Sequence, residues 1–436
     1  MKKFSLLVIV SLIAATVVAQ QPLLTLTDAV KIAIQNNYDI LIAKNLVEAA
    51  TINNNWGNAG ALPTIALTAN KTLASNNLQQ NLSNGTIIKR DGASVNNLNA
   101  GVAVNWRFFD GMRMYATKNR LAELEKIGEI NFTRMVNETA YDVISSYLNI
   151  VRLKQQVKAT QEVIALNNER LKIATAKFKI GTSAKTDQLQ AEVDLNEQKA
   201  LLLGFENNIS IEKSNLNTFL ARAASTPFET ADSIQLQIPG IDYTAIQQKL
   251  STQNPQVLLA KSNLAVLMQT KKEINAQRLP SANLGANYNF LRNKNAAGFT
   301  LLNQSYGPSA TIGLSIPIFN GGNVKRQLKV ADIDIKNQQL ANQQIQQQLN
   351  NTLNNAFLNY NNGKSLATLE QQNLLLVKEN NLINLERFRL QSITSVELRQ
   401  GQLNYASAQT RLINSLFQAK IAEAEMLLLA GEITKE

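Results

Sequence analysis

The chain has 436 residues, with 43 Lys and Arg against 32 Asp and Glu for a formal net charge of +11. It contains neither histidine nor cysteine, which removes the commonest acid–base side chain, the commonest metal ligand, disulfides and a cysteine-linked lipid anchor. The basic residues are dispersed, with no run carrying interleaved aromatics, so no nucleic-acid footprint is expected, and no catalytic, cofactor-binding or metal-binding set is read from the chain.

Lys2 and Lys3 precede an apolar run from Leu6 to Val18, and Val17-Val18-Ala19 offers small residues for a signal peptidase. Residues 1–19 are therefore expected to be an export signal, whose removal takes two lysines and leaves a charge of +9. No later stretch approaches the roughly 20 apolar residues of a spanning helix, so any membrane crossing must use strands.

The remainder is written twice. Ala43-Lys44 and Leu62-Pro63 recur 217 residues later as Ala260-Lys261 and Leu279-Pro280, whereas Phe109-Asp110-Gly111 and Phe178 recur after 210 residues as Phe319-Asn320-Gly321 and Phe388. Residues 20–222 form the first repeat, 223–241 a linker with Pro227 and Pro239 around an alternating piece, Ser233 to Ile238, and 242–436 the second repeat. The seven-residue change falls between the Pro and Phe-Asp/Asn-Gly markers, and a surface loop is expected to absorb it.

Each repeat opens with a capped helix, from Leu26 to about Trp56 and from Asp242 to about Arg278, stopped near its Leu-Pro pair. Alternating segments follow. Ile65, Leu67 and Ala69, then Val102, Val104, Trp106 and Phe108, are interleaved with polar or small residues in the first copy. Ala282 to Phe290 and Ser309 to Ile318 show the same period in the second. These are strands with one apolar face, joined by polar loops at about Ser75–Asn97 and Arg292–Gly307. Trp106 and Tyr288 read as interfacial aromatics or as sheet-packing residues.

After the Phe-Asp/Asn-Gly marker the period becomes seven. Val136, Val143, Ile150, Val157, Ile164, Leu171 and Phe178 form one row; Leu353, Tyr360, Ala367, Leu374 and Phe388 form the other, interrupted by Asn381. Such rows specify coiled-coil helices, and the stretch from Gly111 to Phe178 is on the order of 100 Å long as a helix. Tight turns at Lys177–Ser183 and Arg387–Thr394 lead into return helices at about Lys185–Arg222 and Ser395–Ala430. Four strands per chain cannot close a barrel, since eight is the usual minimum in a membrane. Two chains give a lumen filled by side chains and three give twelve strands with a passage, so a trimer is expected.

The helix–strand–loop–strand–helical-hairpin unit, written twice, resembles the TolC-like outer-membrane efflux and secretion channels. The resemblance rests on Leu26-Thr27-Asp28-Ala29, both Leu-Pro pairs, Trp106-Arg107-Phe108-Phe109-Asp110-Gly111, Pro317-Ile318-Phe319-Asn320-Gly321-Gly322 and the two Phe-containing turns. It implies an α+β membrane protein: a trimeric 12-stranded outer-membrane β-barrel, four strands per chain, continued by a long periplasmic α-helical coiled-coil barrel. It further implies a homotrimer in the outer-membrane lipid of a Gram-negative bacterium, serving as exit duct for an inner-membrane transporter through a periplasmic adaptor.

The same resemblance assigns adaptor docking to the helical turns, Lys179, Ile180, Gly181, Thr182 and Ser183 in the first copy and Leu390, Gln391, Ser392, Ile393 and Thr394 in the second. It places a pore constriction at Glu397 and Gln400, where the family has acidic rings; Gln400 departs from that pattern, and Asp187 is the first-copy counterpart of Glu397. One carboxylate ring instead of two implies a weaker cation site. The residues themselves also read as helix caps: Thr394-Ser395-Val396-Glu397 fits a capping box and Asp187 a favourable first-turn charge. Gly181 reads as a turn residue at positive φ. An exported coiled-coil structural or adhesive protein is the alternative reading of the same pattern.

Overall fold

A computed structural model describes residues 23–233 and 242–434. The expected export signal, and all of the linker's alternating piece beyond Ser233, lie outside the described residues. Among those described, no helix is long and apolar enough to cross a membrane.

Each repeat opens with two helices where one was expected. They are α1 (Leu26–Asn36) and α2 (Tyr38–Asn53) in the first, and α5 (Tyr243–Gln253) and α6 (Pro255–Ala276) in the second. The breaks fall on Asn37 and Asn254, both extended (φ −59°, ψ 129° and φ −61°, ψ 125°) and both buried. Asn37 Nδ2 donates to Phe219 O at 3.0 Å while its Oδ1 accepts from Asp39 N at 2.9 Å. Asn254 does the same with Leu429 O at 3.0 Å and Gln256 N at 2.9 Å. A buried amide that caps the next helix and pins a return helix compensates the lost backbone bonds. Apolar periodicity runs through such a break unaltered, which is why it was not visible in the pattern.

The strands are β1 (Thr64–Asn81), β2 (Ile87–Phe109), β3 (Ser281–Asn295) and β4 (Leu302–Ser315), in one antiparallel sheet of order β1-β2-β3-β4. The polar segments expected as loops are mostly strand: backbone pairing continues past the apolar stretch, and only residues 82–86 and 296–301 turn. The seven-residue difference is consequently taken up in strand length rather than in the loops. Register aligns Ile65 with Val104, Ala286 and Ala310, and Leu67 with Val102, Tyr288 and Pro308, so one face carries an apolar belt. The other face aligns Asn70 with Asn99, and Ala66 with Ala103, Asn287 and Ser309.

Left-handed residues end each hairpin: Gly111 and Met112 (both φ 70°) before α3 (Arg113–Lys179), and Gly321 and Gly322 (φ 66° and 73°) before α7 (Asn323–Arg389). At Gly111 a Cβ would lie 2.6 Å from Ala276 O, so the backbone approach itself demands glycine. The return helices are α4 (Lys185–Phe219) and α8 (Ser395–Ala430).

Two compact units cut across the repeats: Met1–Lys44, Asn131–Leu258 and Ile345–Glu436 form one, Asn45–Ile130 and Leu259–Gln344 the other. The first has two cores built from matched residues. Val143, Ile150 and Leu216 in one answer to Leu353, Tyr360 and Met426 in the other, each 210 residues on. The second seven-residue row is buried as expected at Leu353, Tyr360, Ala367 and Phe388; Leu374 is half-buried, and the interrupting Asn381 is itself buried. The first departs from expectation: beyond Ile150 its members Val157, Ile164 and Leu171 are half-buried, and Phe178 is 39% exposed. Along this stretch α3 buries two other rows instead: Thr139, Ser146, Leu153, Thr160, Asn167 and Ala174, and beside it Gln156, Val163, Arg170 and Lys177.

Candidate functional site

Both helical hairpins reverse through the same motif. In the first, Thr182 N donates to Lys177 O (2.9 Å) and Gly181 N to Phe178 O (3.0 Å); in the second, Ser392 N donates to Arg387 O (2.9 Å) and Gln391 N to Phe388 O (3.2 Å). This pair of bonds is a Schellman motif, which places Gly181 (φ 77°) and Gln391 (φ 63°) in the left-handed region. Glycine occupies that conformation without steric cost; glutamine does not. Ile180 and Leu390 project from the turns, 71% and 79% exposed. Lys179 closes α3, and Ile393 packs against the small core of Leu385, Phe388 and Leu398.

The return helices are capped by the residues beside the turns. Thr394 N donates to Glu397 Oε2 at 2.7 Å and Glu397 N to Thr394 Oγ1 at 3.2 Å, the capping box expected from the sequence. The bond from Thr394 N, a second that Thr394 Oγ1 donates to the same Oε2 at 3.0 Å, and a smaller contribution from the Arg387 charge hold the Glu397 carboxyl below its ordinary range. In the first hairpin Ser183 Oγ donates to Asp187 Oδ2 at 2.8 Å. Gln400 is exposed and donates from Nε2 to Asn404 Oδ1 at 2.9 Å along its own helix. The structure thus joins Ser183 to Asp187 and Thr394 to Glu397, each within its own hairpin.

The links between the hairpins have no counterpart in the sequence pattern. Arg170 of α3, 1% exposed, pairs with Asp194 of α4 and donates through Nη1 to Gln402 Oε1 of α8 at 3.0 Å. Arg399 Nε of α8 donates to the same Asp194 Oδ2 at 2.9 Å, and Gln190 Nε2 to Oδ1 at 2.8 Å. Burial pushes the Asp194 carboxyl up, but the Arg170 and Gln190 hydrogen bonds, the Arg170 charge and the Arg399 hydrogen bond outweigh it and hold it below the usual range. Two further ties lie nearby. Lys177 Nζ donates to Phe388 O and sits 3.9 Å from the centre of that ring, and Arg389 Nη2 donates to Glu169 Oε1 at 2.7 Å. Arg170 falls in step with Val163 and Lys177 along α3, so a charge inside a seven-residue row was the available signal. Its partners Asp194 and Gln402 lie 24 and 232 residues away, which no local pattern reveals.

Among the described residues no cluster of His, Cys, Asp and Glu is arranged to hold a metal ion. The geometry is that of a four-stranded sheet with an apolar face and two long helical hairpins cross-tied near their turns.

That architecture is the fold of outer-membrane channels. The outer-membrane channel OprN superimposes with a TM-score of 0.79 at 15% identity, covering 93% of this chain and 90% of its own. The outer-membrane protein VceC of Vibrio cholerae gives 0.75 at 14% identity over 93% and 96%. In sequence, the outer membrane efflux protein BepC of Brucella suis biovar 1 (strain 1330) is 20% identical over 340 residues, 77% of this chain and 72% of BepC. Residues 29–222 and 246–432 match the outer membrane efflux protein family, and the chain belongs to it. It is an outer-membrane efflux duct with a periplasmic portion, not an enzyme, and its four-stranded antiparallel sheet and two helical hairpins match, within one chain, the fold class implied by the TolC-like resemblance.

Proposed function

We propose that three copies of the chain form a passive exit duct for a tripartite efflux or type I secretion machine, receiving substrate from an inner-membrane transporter through a periplasmic adaptor. The observation that carries the assembly is the sheet. β1 and β4 are its open edges, and in hydrocarbon each unpaired backbone group costs several kcal/mol, so other chains must supply the missing neighbours. The half-buried row Val157, Ile164 and Leu171 supports the same assembly, because a coiled-coil row left uncovered within one chain suits a neighbouring hairpin.

The turns Lys179–Ser183 and Leu390–Thr394 are the docking surface for the adaptor. Their exposed Ile180 and Leu390 on rigid Schellman turns provide two similar apolar knobs per chain. Glu397 forms the remaining carboxylate ring of the constriction, Gln400 contributes a neutral one, and Asp187 is the corresponding acid on the first hairpin. Glu397 caps its helix through Oε2 and stays exposed, so one residue serves both as cap and as pore charge.

Planar bilayers test the duct: discrete conductance steps are expected from the purified mature protein, and a water-soluble monomer without conductance would falsify the reading. Glu397→Ala should relieve block of that current by added divalent cations, and unchanged block removes Glu397 from the constriction. Since the chain lacks cysteine, single cysteines at Ser183 and Ser392 report docking cleanly. Cross-links to a periplasmic adaptor are expected at both, and their absence at both contradicts the assigned surface.

A further inference from the structure

The strand segments Thr64–Asn81, Ile87–Phe109, Ser281–Asn295 and Leu302–Ser315 hold six cationic side chains, Lys71, Lys89, Arg90, Arg107, Arg292 and Lys294, against a single carboxylate, Asp91. Lys89, Arg90, Arg292 and Lys294 lie towards the hairpin turns, and Lys71, near the middle of β1, shares a row with Arg292. Their placement follows from register. Beyond the aromatic row, in which Phe290 pairs with Tyr306, the next row on the belt face aligns Lys71 with Leu98, Arg292 and Gln304, and the one after it contains Lys294. Lys71, Arg292 and Lys294 are all exposed, and none has an acidic partner among the described residues. Strand spacing puts Lys71 and Arg292 about 10 Å apart across Leu98, and Lys294 about 7 Å along from Arg292.

We propose that Lys71, Arg292 and Lys294 form a lipid-headgroup site on the outside of the barrel, taking the phosphate groups of a phosphorylated outer-leaflet glycolipid. The proposal rests on the barrel reading. The apolar belt that meets acyl chains runs without a break into the cations, with the aromatic row at the boundary where such rings sit at headgroup level. Arg292 offers a fork for phosphate oxygens, Lys71 and Lys294 offer point charges within reach of the same headgroup, and Leu98 between them keeps the contact apolar below. The chain enters and leaves the sheet from its helices at Thr64 and Phe109, so the turn end is the end facing away from the periplasm. Arg107, at the opposite end, instead donates to Asn283 Oδ1 at 3.3 Å and takes no part.

The test titrates the full chain, solubilised in a neutral detergent, with lipid A carrying its phosphates and with dephosphorylated lipid A. Wild-type protein should prefer the phosphorylated lipid by at least an order of magnitude at low salt. Each cation removed should cost roughly fivefold. Lys71→Gln, Arg292→Gln and Lys294→Gln combined should abolish the preference, while Lys71→Arg with Lys294→Arg, and Arg107→Gln, should keep it. Arg292→Gln alone supplies the readout where the triple variant does not assemble. A preference that survives the triple change overturns the site, and so does displacement of the lipid by equimolar inorganic phosphate, which would mean a free-anion site. Binding of neither lipid by wild-type protein that gives conductance steps in planar bilayers overturns the site alone, and binding of neither without conductance overturns the barrel reading along with it.

Discussion

Gln391 holds a backbone conformation that its first-copy counterpart, Gly181, adopts without steric cost. A non-glycine residue in that region loses about 1 kcal/mol, so Gln391→Gly should raise the thermal midpoint of helix loss measured by circular dichroism. Gly181→Ala should lower it by a comparable amount. Asp194 tests the buried tie: removing one partner of such a pair costs about 3–5 kcal/mol, so Asp194→Ala should unfold at markedly lower urea concentration. Replacing Arg170 and Asp194 together by Met and Leu should recover much of that loss. The pH sign follows from the depressed carboxyl. Its contribution is complete above the unfolded aspartate value near 3.9 and is lost as pH falls through the lower folded value, so wild-type stability should drop on acidification more than that of the double variant. A parallel fall in both proteins would contradict this role for Asp194. The capping box was legible because Thr394 and Glu397 are three residues apart. The Arg170 network was not, because its geometry exists only once three helices are assembled.

At the level of elements, the long helices were legible from period alone and their ends from the Phe-containing turns. What periodicity misses is a break that preserves it. Asn37 and Asn254 each replace lost helix bonds by side-chain ones and hold a return helix through a carbonyl. Asn254→Ala should therefore cost about 1–3 kcal/mol, read from the urea midpoint, and Asn37→Ala should match it if the copies are equivalent. Gly363 governs another contact: a Cβ there would lie 3.0 Å from Ala419 N and 3.2 Å from its Cα, so Gly363→Ala must push α7 from α8. Overpacking of this kind costs about 1–3 kcal/mol. The strands show the converse. Alternation located their apolar portions, but the polar extensions pair just as regularly, because ladder bonds depend on backbone and not on side-chain hydropathy. Length differences between copies consequently reside in the hairpins, where two paired strands can lengthen together.

For the whole molecule, duplication and closure are one problem. Each chain supplies two matched helical hairpins and one sheet with two open edges, and the second copy's Phe388 is buried where the first copy's Phe178 is not. A surface that is satisfied once inside the chain and left uncovered once is what a ring of alternating hairpins requires. The closed ring is the central claim, and the mass of the assembly extracted in detergent tests it most directly. Native mass spectrometry should return three mature chains, dissociating to single chains on heating. A stable species of one or two chains would contradict the account.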